Sequence, residues 1–264
     1  MTLQLLICTF GDGILRIPKL LLPTMQGVSY LVSWQQPVGY TPCALPDEIV
    51  ARPDVEVVTL PGRGLSQNRN NCLRHASADL CLICDDDCRY TPEGLLAVIS
   101  TFDQHPEVDI ATFIAKNSAE PKHYPDHSFN LRKRVRNFYV ISFEIAFRRA
   151  SVAGKVAFNE HFGLGADLFG AGEEAVFIHD ALSQGLHCQY FPIQVVEHIG
   201  PTTSVTRLAD DKVLRADGAI LYLSFRRTMW LRLPIMAWRK HKGGVPFAHA
   251  LSCIRQGIDE MRHL

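Results

Sequence analysis

Three consecutive carboxylates, Asp85, Asp86 and Asp87, follow directly after the apolar run Leu80–Cys84. Carboxylates this close repel one another, and a bound Mg²⁺ or Mn²⁺ would relieve the repulsion because these cations take oxygen ligands, including substrate phosphates. The alternative is an acidic surface turn that solvates the end of a strand. Ligands of doubly wound α/β folds bind beyond the carboxyl ends of the strands, so the position favours a cation that bridges a nucleoside diphosphate.

A second pair of carboxylates, Glu173 and Glu174, opens a predicted helix that continues to Gln184. The helix macrodipole favours glutamate in a first turn, which explains one of the two without any function. It does not explain the glycine-rich segment from Phe158 to Gly172, which predicts a backbone packed closely against something. The functional alternative is a carboxylate at the mouth of a cleft that takes the proton from an acceptor hydroxyl.

A glycine-rich loop, Pro61–Gly64, leads into a helix that opens near Ser66 and carries Arg69 in its first turns. Such a loop can offer backbone N–H groups to a phosphate, and Arg69 would add charge, although Gly-x-Gly is common in turns. A polar stretch over residues 117–137 contains the basic cluster Arg132–Arg136. Two interpretations of this stretch remain: a solvated loop, or a loop that binds an anion or covers the acceptor.

The scaffold that positions these side chains is predicted to be α/β, because short apolar runs alternate with helical patterns along the chain. The predicted strands are Leu3–Phe10, Val28–Trp34, Val55–Leu60, Leu80–Cys84, Val108–Ile114, Val140–Phe147 and His187–Glu197. Alternating strands and helices predict a mixed, mainly parallel sheet flanked by helices. The spacing of Cys81, Cys84 and Cys88 invites a zinc site, but no second pair follows, which favours small buried thiols.

The charge of the chain is uneven, although 27 Lys+Arg balance 27 Asp+Glu over the 264 residues. Residues 207–264 carry 11 basic and 5 acidic side chains, whereas residues 1–206 carry 16 and 22. This shift predicts a boundary near Thr206. Zero net charge argues against a nucleic-acid partner. The absence of a secretory signal and of an apolar run of about 18 residues predicts a cytoplasmic protein that does not cross a bilayer.

The basic tail contains two apolar segments, Ala219–Phe225 and Met229–Trp238, interleaved with arginine and lysine. Trp230 and Trp238 among so many cations suit a segment that lies on an anionic membrane. Helices that pack on the catalytic domain are the alternative, slightly favoured because the charges do not fall on one helical face. The two alternatives are compatible.

With these segments in this order, the sequence resembles the inverting family 2 glycosyltransferases of the GT-A fold. The matching segments are the strand that ends in Thr9, Gly64–Asn70, the DxD-like Asp85–Asp87, Phe158–Gly165, Gly172–Glu174, and Pro192-x2-Val195-x2-His198 with Ser204 downstream. The resemblance implies a GT-A catalytic domain over residues 1–206, with a nucleotide-sugar half at about 1–115 and an acceptor half at about 116–206. A helical extension would cover residues 207–264.

The same resemblance implies a metal-dependent transfer of a sugar from a UDP-, GDP- or dTDP-sugar to the hydroxyl of a glycan or a lipid-linked glycan, as in bacterial surface polysaccharide or glycolipid synthesis. The roles it implies are nucleoside binding by Asp85 and Asp86, nucleotide binding by Arg69 and Thr9, metal binding by Asp87 and His198, and base catalysis by Glu174 with Glu173 as its neighbour. The implied cofactor is Mn²⁺ or Mg²⁺, and a satisfied histidine at a strand end is the alternative for His198.

Two departures from the family pattern are visible. Ser33–Gln36 stands where the family carries acidic residues that bind the base, and Asn159 stands where aspartate is usual. A sugar-nucleotide nucleotidyltransferase is one rival, but it needs a glycine-rich loop with Lys or Arg directly after the first strand, and here Arg16 comes beyond Gly11–Gly13. A non-catalytic binding member of the same fold is the other rival, and the presence of both acidic pairs favours an enzyme.

Overall fold

A computed structural model of the chain describes residues 1–117, 122–133, 135–198, 207 and 209–264. The described residues form a nine-stranded sheet with the order β3-β2-β1-β4-β8-β6-β9-β5, and β7 also pairs with β9. The strands are β1 Leu3–Phe10, β2 Val28–Gln36, β3 Val55–Pro61, β4 Leu80–Asp85, β5 Cys88–Tyr90, β6 Ile110–Asn117, β7 Phe129–Asn130, β8 Ile145–Arg148 and β9 Cys188–His198.

Along the chain, helices lie between these strands and, in the C-terminal part, after them, as the alternating sequence pattern predicts. They are α1 Asp47–Val50, α2 Leu65–His75, α3 Pro92–Gln104, α4 Arg149–Val152, α5 Glu173–Ser183, α6 Asp211–Phe225, α7 Met229–Lys242 and α8 Phe247–His263. Two further segments, Gly11–Leu20 and Ser142–Glu144, are 3-10 helices. The start of α3 shows why the local sequence folds this way: Thr91 caps it by accepting from the Gly94 N–H, and Pro92 stands in the first turn.

The parallel part of the sheet positions the acidic residues. Strand β1 pairs in parallel with β2 and β4, and β2 pairs in parallel with β3. Because β1 and β4 are buried on both faces, their sequences are continuous apolar runs rather than alternating ones. Cys8 is in register with Asp85, so Thr9 at the end of β1 lies beside the start of the acidic turn.

The mixed α/β class and most of the predicted elements are confirmed. The pairings among the described strands divide equally between parallel and antiparallel, because β8 runs antiparallel to both β4 and β6. The predicted strand Val140–Phe147 is wrong in its first half, where the backbone turns through Ser142–Glu144 before β8 begins. Strands β5 and β7 were not predicted, since three and two residues are too short to show a periodicity.

The chain divides into two compact units, and these do not follow the order of the sequence. The first comprises Met1–Arg63, Gln67–Ala157 and Asp180–Gly200, and it contains the whole sheet. The second comprises Gly64–Ser66, Phe158–His179 and Pro201–Leu264. The boundary predicted near Thr206 lies outside the described residues, as does Ser204. The described part of the tail is mostly helical, as expected, and comprises α6–α8. As a functional division, the boundary stays a prediction.

The second unit has its own apolar core. Phe162, Phe169 and Val176 pack against Ala216 and Ala219 of α6. Helices α6 and α8 approach closely at two glycines: a methyl group on Gly218 would lie 2.0 Å from the Ile254 carbonyl oxygen, and one on Gly257 would lie 1.9 Å from the Arg215 carbonyl oxygen. No described helix is both long enough and apolar enough to cross a membrane.

Candidate functional site

The acidic turn lies in the first unit, at the carboxyl end of β4, and each of its carboxylates has different partners. Asp85, the last residue of β4, pairs with Arg69 of α2, whose Nη2 lies 3.0 Å from Oδ1 of Asp85. The Arg69 side chain is only 1% exposed, so this cation is built into the core beneath the turn. Ser142 accepts a 2.7 Å hydrogen bond from the same Nη2 and lies 3.4 Å from Oδ2 of Asp85.

Asp86 is held by the end of β1 and by the 3-10 helix that follows it. Thr9 donates to Oδ2 of Asp86 at 2.6 Å, and Nη2 of Arg16 lies 2.8 and 2.7 Å from the two carboxylate oxygens. Burial raises the pKa of Asp86 above that of a solvated aspartate, and the hydrogen bonds from Arg16 and Thr9 oppose that shift. Gly13 leaves the room for this arrangement, since a methyl group there would lie 2.3 Å from Oγ1 of Thr9.

Asp87 is the most exposed of the three carboxylates, with 49% of its side chain accessible. Its Oδ2 lies 3.2 Å from Nε2 of His198, the last residue of β9, whose side chain is 6% exposed. The ring of His198 stacks on Phe143, with the centroids 4.9 Å apart and the planes 7° from parallel. An exposed carboxylate beside a fixed imidazole is a pair that could bind a cation from the solvent side.

The 3-10 helix Ser142–Glu144 contacts the Asp85–Arg69 pair through Ser142 and His198 through Phe143, and its third residue, Glu144, binds a separate cation. Glu144 is fully buried and accepts from Nζ of Lys122 at 2.9 and 2.8 Å. It also accepts from the Tyr124 hydroxyl at 2.5 Å and from the Ile141 N–H at 3.0 Å. Burial raises the pKa of Glu144, and Lys122 opposes that shift. Since all these donors converge on one carboxylate, the backbone turns here instead of extending as a strand.

The second acidic pair lies in the second unit, at the start of α5. Glu173 is buried, 7% exposed, and a methyl group on Gly163 would lie 3.1 Å from its Oε2. Glu174 is only partly buried. Gly163 has φ +102°, which favours glycine, and its N–H donates to the Phe169 carbonyl at 2.9 Å. The glycine-rich segment is therefore closely packed, as predicted, and part of what it packs against is Glu173.

Phosphate binding by the loop Pro61–Gly64 stays a prediction, and the first groups of the helix that follows it are engaged within the protein. The Leu65 N–H, at the start of α2, donates to the Leu164 carbonyl at 2.9 Å, and the Ser66 hydroxyl donates to the Phe162 carbonyl at 2.6 Å. These groups stabilise the second unit. The Arg69 side chain donates a hydrogen bond to Asp85 and so contacts the acidic turn.

Two other sequence features have structural explanations. Arg132 donates from Nη2 to the Leu182 carbonyl at 2.7 Å, near the C-terminus of α5, and Arg134 lies outside the described residues. Ser33–Gln36 belongs to β2, where Ser33 accepts from Asn71 and the Trp34 indole donates to the Gly11 carbonyl. The segment that stands in place of the family's acidic, base-binding residues is therefore largely buried in the sheet.

The cysteines are free thiols, and those near the acidic turn are buried as predicted. Burial raises the pKa of Cys81 to about 12 and that of Cys84 and Cys88 well above the usual thiol value. Within the described ranges, the three-residue group that could ligate a metal ion lies elsewhere, in the second unit, and comprises Asp211, His249 and Cys253. Asp87 and His198 could offer a cation two ligand atoms, a carboxylate oxygen and an imidazole nitrogen.

Sequence reasoning missed Arg16, Gly13 and Ser142 as parts of this site. Arg16 had a weak signal, because a basic residue soon after the first strand of a parallel sheet is placed at the carboxyl edge. Ser142 had none, since it lies 57 residues from Asp85 and was expected inside a strand.

Comparisons with known proteins agree with this architecture. A family model described as glycosyl transferase family 2 matches residues 45–161, which is somewhat less than half of the chain. This range contains Arg69 and Asp85–Asp87, but not Thr9, Glu173, Glu174 or His198. No curated protein matches the sequence.

Solved structures match over nearly the whole chain. The crystal structure of S. aureus TarS 1-349 has a TM-score of 0.60 at 12% identity, covering 100% of this chain and 92% of that one. The same TarS fragment in complex with UDP-GlcNAc has a TM-score of 0.60 at 14% identity, covering 93% and 74%. A mycobacterial protein has a TM-score of 0.51 at 13% identity, covering 83% and 74%. Residues 45–161 thus carry the sequence pattern of glycosyl transferase family 2, on a chain that has the fold of the TarS structures.

Proposed function

We propose that the protein is an inverting, metal-dependent glycosyltransferase of family 2. It would move a sugar from a nucleotide-sugar donor to an acceptor hydroxyl in bacterial-type surface polysaccharide or glycolipid synthesis. The observation that carries the proposal is the acidic turn at the carboxyl end of β4. There, two carboxylates are fixed by buried or paired cations, and the third, Asp87, faces solvent beside His198.

The donor is proposed to be a nucleoside-diphosphate sugar. The likeness to a TarS fragment that binds UDP-GlcNAc supports a UDP-sugar as the first donor to test, before GDP- and dTDP-sugars. Asp85 and Asp86 would contact the nucleoside. Arg69 and Thr9 donate hydrogen bonds to Asp85 and Asp86, respectively, so we propose that they fix the positions of these carboxylates in the nucleotide site.

The residues present fit a divalent cation. A solvent-facing carboxylate oxygen of Asp87 and the imidazole nitrogen of His198 lie 3.2 Å apart, and this mixed oxygen and nitrogen donor set suits Mn²⁺ at least as well as Mg²⁺. When bound, the cation would neutralise the charge that develops on the departing diphosphate. The stack of Phe143 on His198 fixes the ring that would ligate it.

Glu174 is the proposed catalytic base. It would take the proton of the acceptor hydroxyl while the hydroxyl oxygen bonds to the anomeric carbon from the face opposite the diphosphate, and the bond from that carbon to the diphosphate oxygen breaks. Configuration at the anomeric carbon inverts. The partial exposure of Glu174, against the burial of Glu173 beneath Gly163, supports this choice within the pair.

The acceptor would be a glycan or a lipid-linked glycan. The enzyme would work in the cytoplasm, in peripheral contact with the cytoplasmic face of the membrane. The basic helices α6–α8 support this location, because their positive charge suits anionic lipid.

The decisive experiment compares donor binding, turnover and product. A thermal-shift panel of UDP-, GDP- and dTDP-sugars with and without Mn²⁺ should give a metal-dependent shift with one nucleotide, and Asp87→Asn should abolish the metal dependence. Glu197→Gln, on an exposed side chain of the same strand as His198, is the matched control. Glu174→Gln should keep binding and lose transfer.

Each rival has its own outcome. Release of inorganic pyrophosphate instead of a nucleoside diphosphate would identify a nucleotidyltransferase. Metal-dependent binding without hydrolysis or transfer, over a range of acceptors, would identify a non-catalytic binder. If Glu173→Gln abolishes transfer and Glu174→Gln does not, the assignment of the base within the pair is reversed.

A further inference from the structure

Helix α7, Met229–Lys242, has two apolar faces, and only one of them is covered. Met229, Leu233 and Ala237, each four residues apart, are buried in the core of the second unit. The other face carries Leu231, Ile235 and Trp238 at positions i, i+4 and i+7, with Trp230 beside them. Their exposed fractions are 74% for Leu231, 54% for Ile235, 50% for Trp238 and 47% for Trp230. We call these four residues the tryptophan face.

Residues of this kind are not exposed together by chance on a helix that already buries its opposite side. Pro234 stands among them and is exposed as well. The spacing i, i+4 and i+7 places Leu231, Ile235 and Trp238 along one side of the helix, so these apolar side chains are exposed as a row and not singly.

The charge around this face has one sign. No aspartate or glutamate occurs from residue 218 to residue 258. The same range contains seven arginines and lysines, which are Arg226, Arg227, Arg232, Arg239, Lys240, Lys242 and Arg255. Lys240 is engaged by Asp217 at 2.6 Å and belongs to the buried side. Arg255, on α8, lies 4.0 Å from Asp259 of the same helix. Arg226, Arg227, Arg232, Arg239 and Lys242 are exposed on a stretch of sequence that has no acidic residue.

Two of the cations are held against aromatic rings. Nζ of Lys242 lies 3.9 Å from the ring centroid of Trp238, and Cζ of Arg232 lies 3.9 Å from the ring centroid of Phe225. A cation over a ring keeps its charge while its stem covers apolar surface. This places positive charge directly beside the tryptophan face, where the headgroups of a lipid layer would lie if the face entered the acyl boundary.

We propose that the tryptophan face is a docking surface for an anionic lipid bilayer, with α7 lying in the plane of the interface. Tryptophan prefers the boundary between headgroups and acyl chains, leucine and isoleucine enter it more deeply, and arginine and lysine bind the anionic headgroups. The uniform positive charge selects anionic lipid over an apolar protein partner or a second copy of this chain, since two copies would bring like charges together. The proposal deepens the membrane contact of the proposed function, but it does not depend on glycosyl transfer.

The test uses the full chain and vesicles of known composition. Sedimentation with phosphatidylglycerol-containing vesicles should bring down the protein, and pure phosphatidylcholine vesicles should bind it at least tenfold more weakly. Binding should fall as salt is raised, because exposed charges are screened. The fluorescence of Trp230 and Trp238 should shift to the blue on binding. Trp34 is buried, with 4% exposure, so its emission should not change.

Variants separate this surface from the rest of the molecule. Leu231→Gln with Ile235→Gln, and separately Arg239→Glu with Lys242→Glu, should each weaken binding at least tenfold. Leu15→Gln, at a residue 52% exposed on the first unit, should not. Since all the changed residues are exposed, unchanged circular dichroism and melting temperature establish that the variants fold.

Three results would overturn the proposal. They are no binding to anionic vesicles at low salt, equal binding to neutral and anionic vesicles, or a concentration-dependent dimer that Leu231→Gln abolishes while vesicle binding is absent. Metal-dependent donor binding is measured without vesicles, so a negative result with vesicles does not contradict the proposed glycosyl transfer. In the same way, an absence of glycosyl transfer does not contradict vesicle binding.

Discussion

Arg16 binds both carboxylate oxygens of Asp86 through one nitrogen, with Nη2 at 2.8 and 2.7 Å. The arginine side chain is 61% exposed and the aspartate side chain 14% exposed, so a surface cation neutralises a largely buried carboxylate. An exposed pair of this kind contributes little to folding. Its effect is on the charge of the acidic turn, which a diphosphate and a cation would both experience.

Replacing Arg16 with glutamine should therefore change ligand affinities in opposite directions. One more net negative charge in the turn should weaken binding of UDP about threefold to tenfold and strengthen binding of Mn²⁺ by a similar factor, because charges a few ångströms apart in a partly buried site interact by about 1 kcal/mol. Isothermal titration calorimetry measures both. Lys19→Gln, at an exposed residue of the same 3-10 helix, is the matched control and should change neither. Weakening of both ligands by Arg16→Gln would contradict this account.

A second prediction concerns Gly13. A methyl group there would lie 2.3 Å from Oγ1 of Thr9 and 2.6 Å from Oδ2 of Asp86, which are the two atoms of one hydrogen bond. Gly13→Ala should displace Asp86 and weaken UDP binding at least about tenfold, a loss of roughly 1.4 kcal/mol. Gly243→Ala, where the nearest atom is a carbonyl oxygen at 3.3 Å, should leave binding unchanged. Full UDP affinity in Gly13→Ala would show that Asp86 has no part in the nucleotide site.

A third prediction concerns the buried ion pair of Lys122 and Glu144, whose side chains are 4% and 0% exposed. Lys122→Met should lower the free energy of unfolding by about 3 kcal/mol, because it leaves a buried carboxylate without its cation. The lysine also loses its contacts with the rings of Tyr124 and Tyr139, at 4.6 and 4.5 Å. Urea denaturation measures the change. Lys116→Met, at a side chain 59% exposed, should cost less than about 1 kcal/mol, and an equal loss in both variants would count against the pair.

A fourth prediction is a pH dependence from Asp54. Two hydrogen bonds from Arg52, at 2.7 and 2.6 Å, lower the pKa of this carboxyl below its usual value. The folded state therefore binds the proton less tightly than the unfolded state, so the stabilisation is present above pH about 4 and is lost as the pH falls through the lowered pKa. Asp54→Asn should cost about 1 kcal/mol at pH 7 and little at pH 2 to 3.

The measurement for Asp54 is the difference in unfolding free energy between variant and parent across this pH range. Asp103→Asn, at an exposed residue of α3, should give a difference near zero at every pH. A constant difference for Asp54→Asn would mean that the residue acts through shape and not through its charge.

The sequence determines the strands of the parallel part well, because β1 and β4 are buried on both faces and need unbroken apolar runs. It also predicts that Asp85–Asp87 lies at the carboxyl edge, since that follows from where β4 ends. The partners of those carboxylates depend on tertiary structure. Arg16 reaches Asp86 because of the geometry of the 3-10 helix Gly11–Leu20. A pattern of apolar residues does not define that geometry.

The antiparallel part shows the same limit from another side. An apolar run at Val140–Phe147 predicts a strand, but buried charges at Lys122 and Glu144 turn the first half of it into a 3-10 helix. A short-range pattern has no information about a lysine 22 residues away in the chain. Likewise, the stack of Phe143 on His198 joins residues that nothing in the local sequence relates.

The 3-10 helix Ser142–Glu144 has a consequence for how this segment can vary in length. Its three consecutive side chains serve three different neighbours: Ser142 contacts Asp85 and Arg69, Phe143 contacts His198, and Glu144 binds Lys122. A 3-10 helix advances about 120° per residue, so inserting or deleting a single residue would give every contact to the wrong side chain. A substitution at one position removes the contact of that side chain, whereas a change of register would undo all three contacts at once.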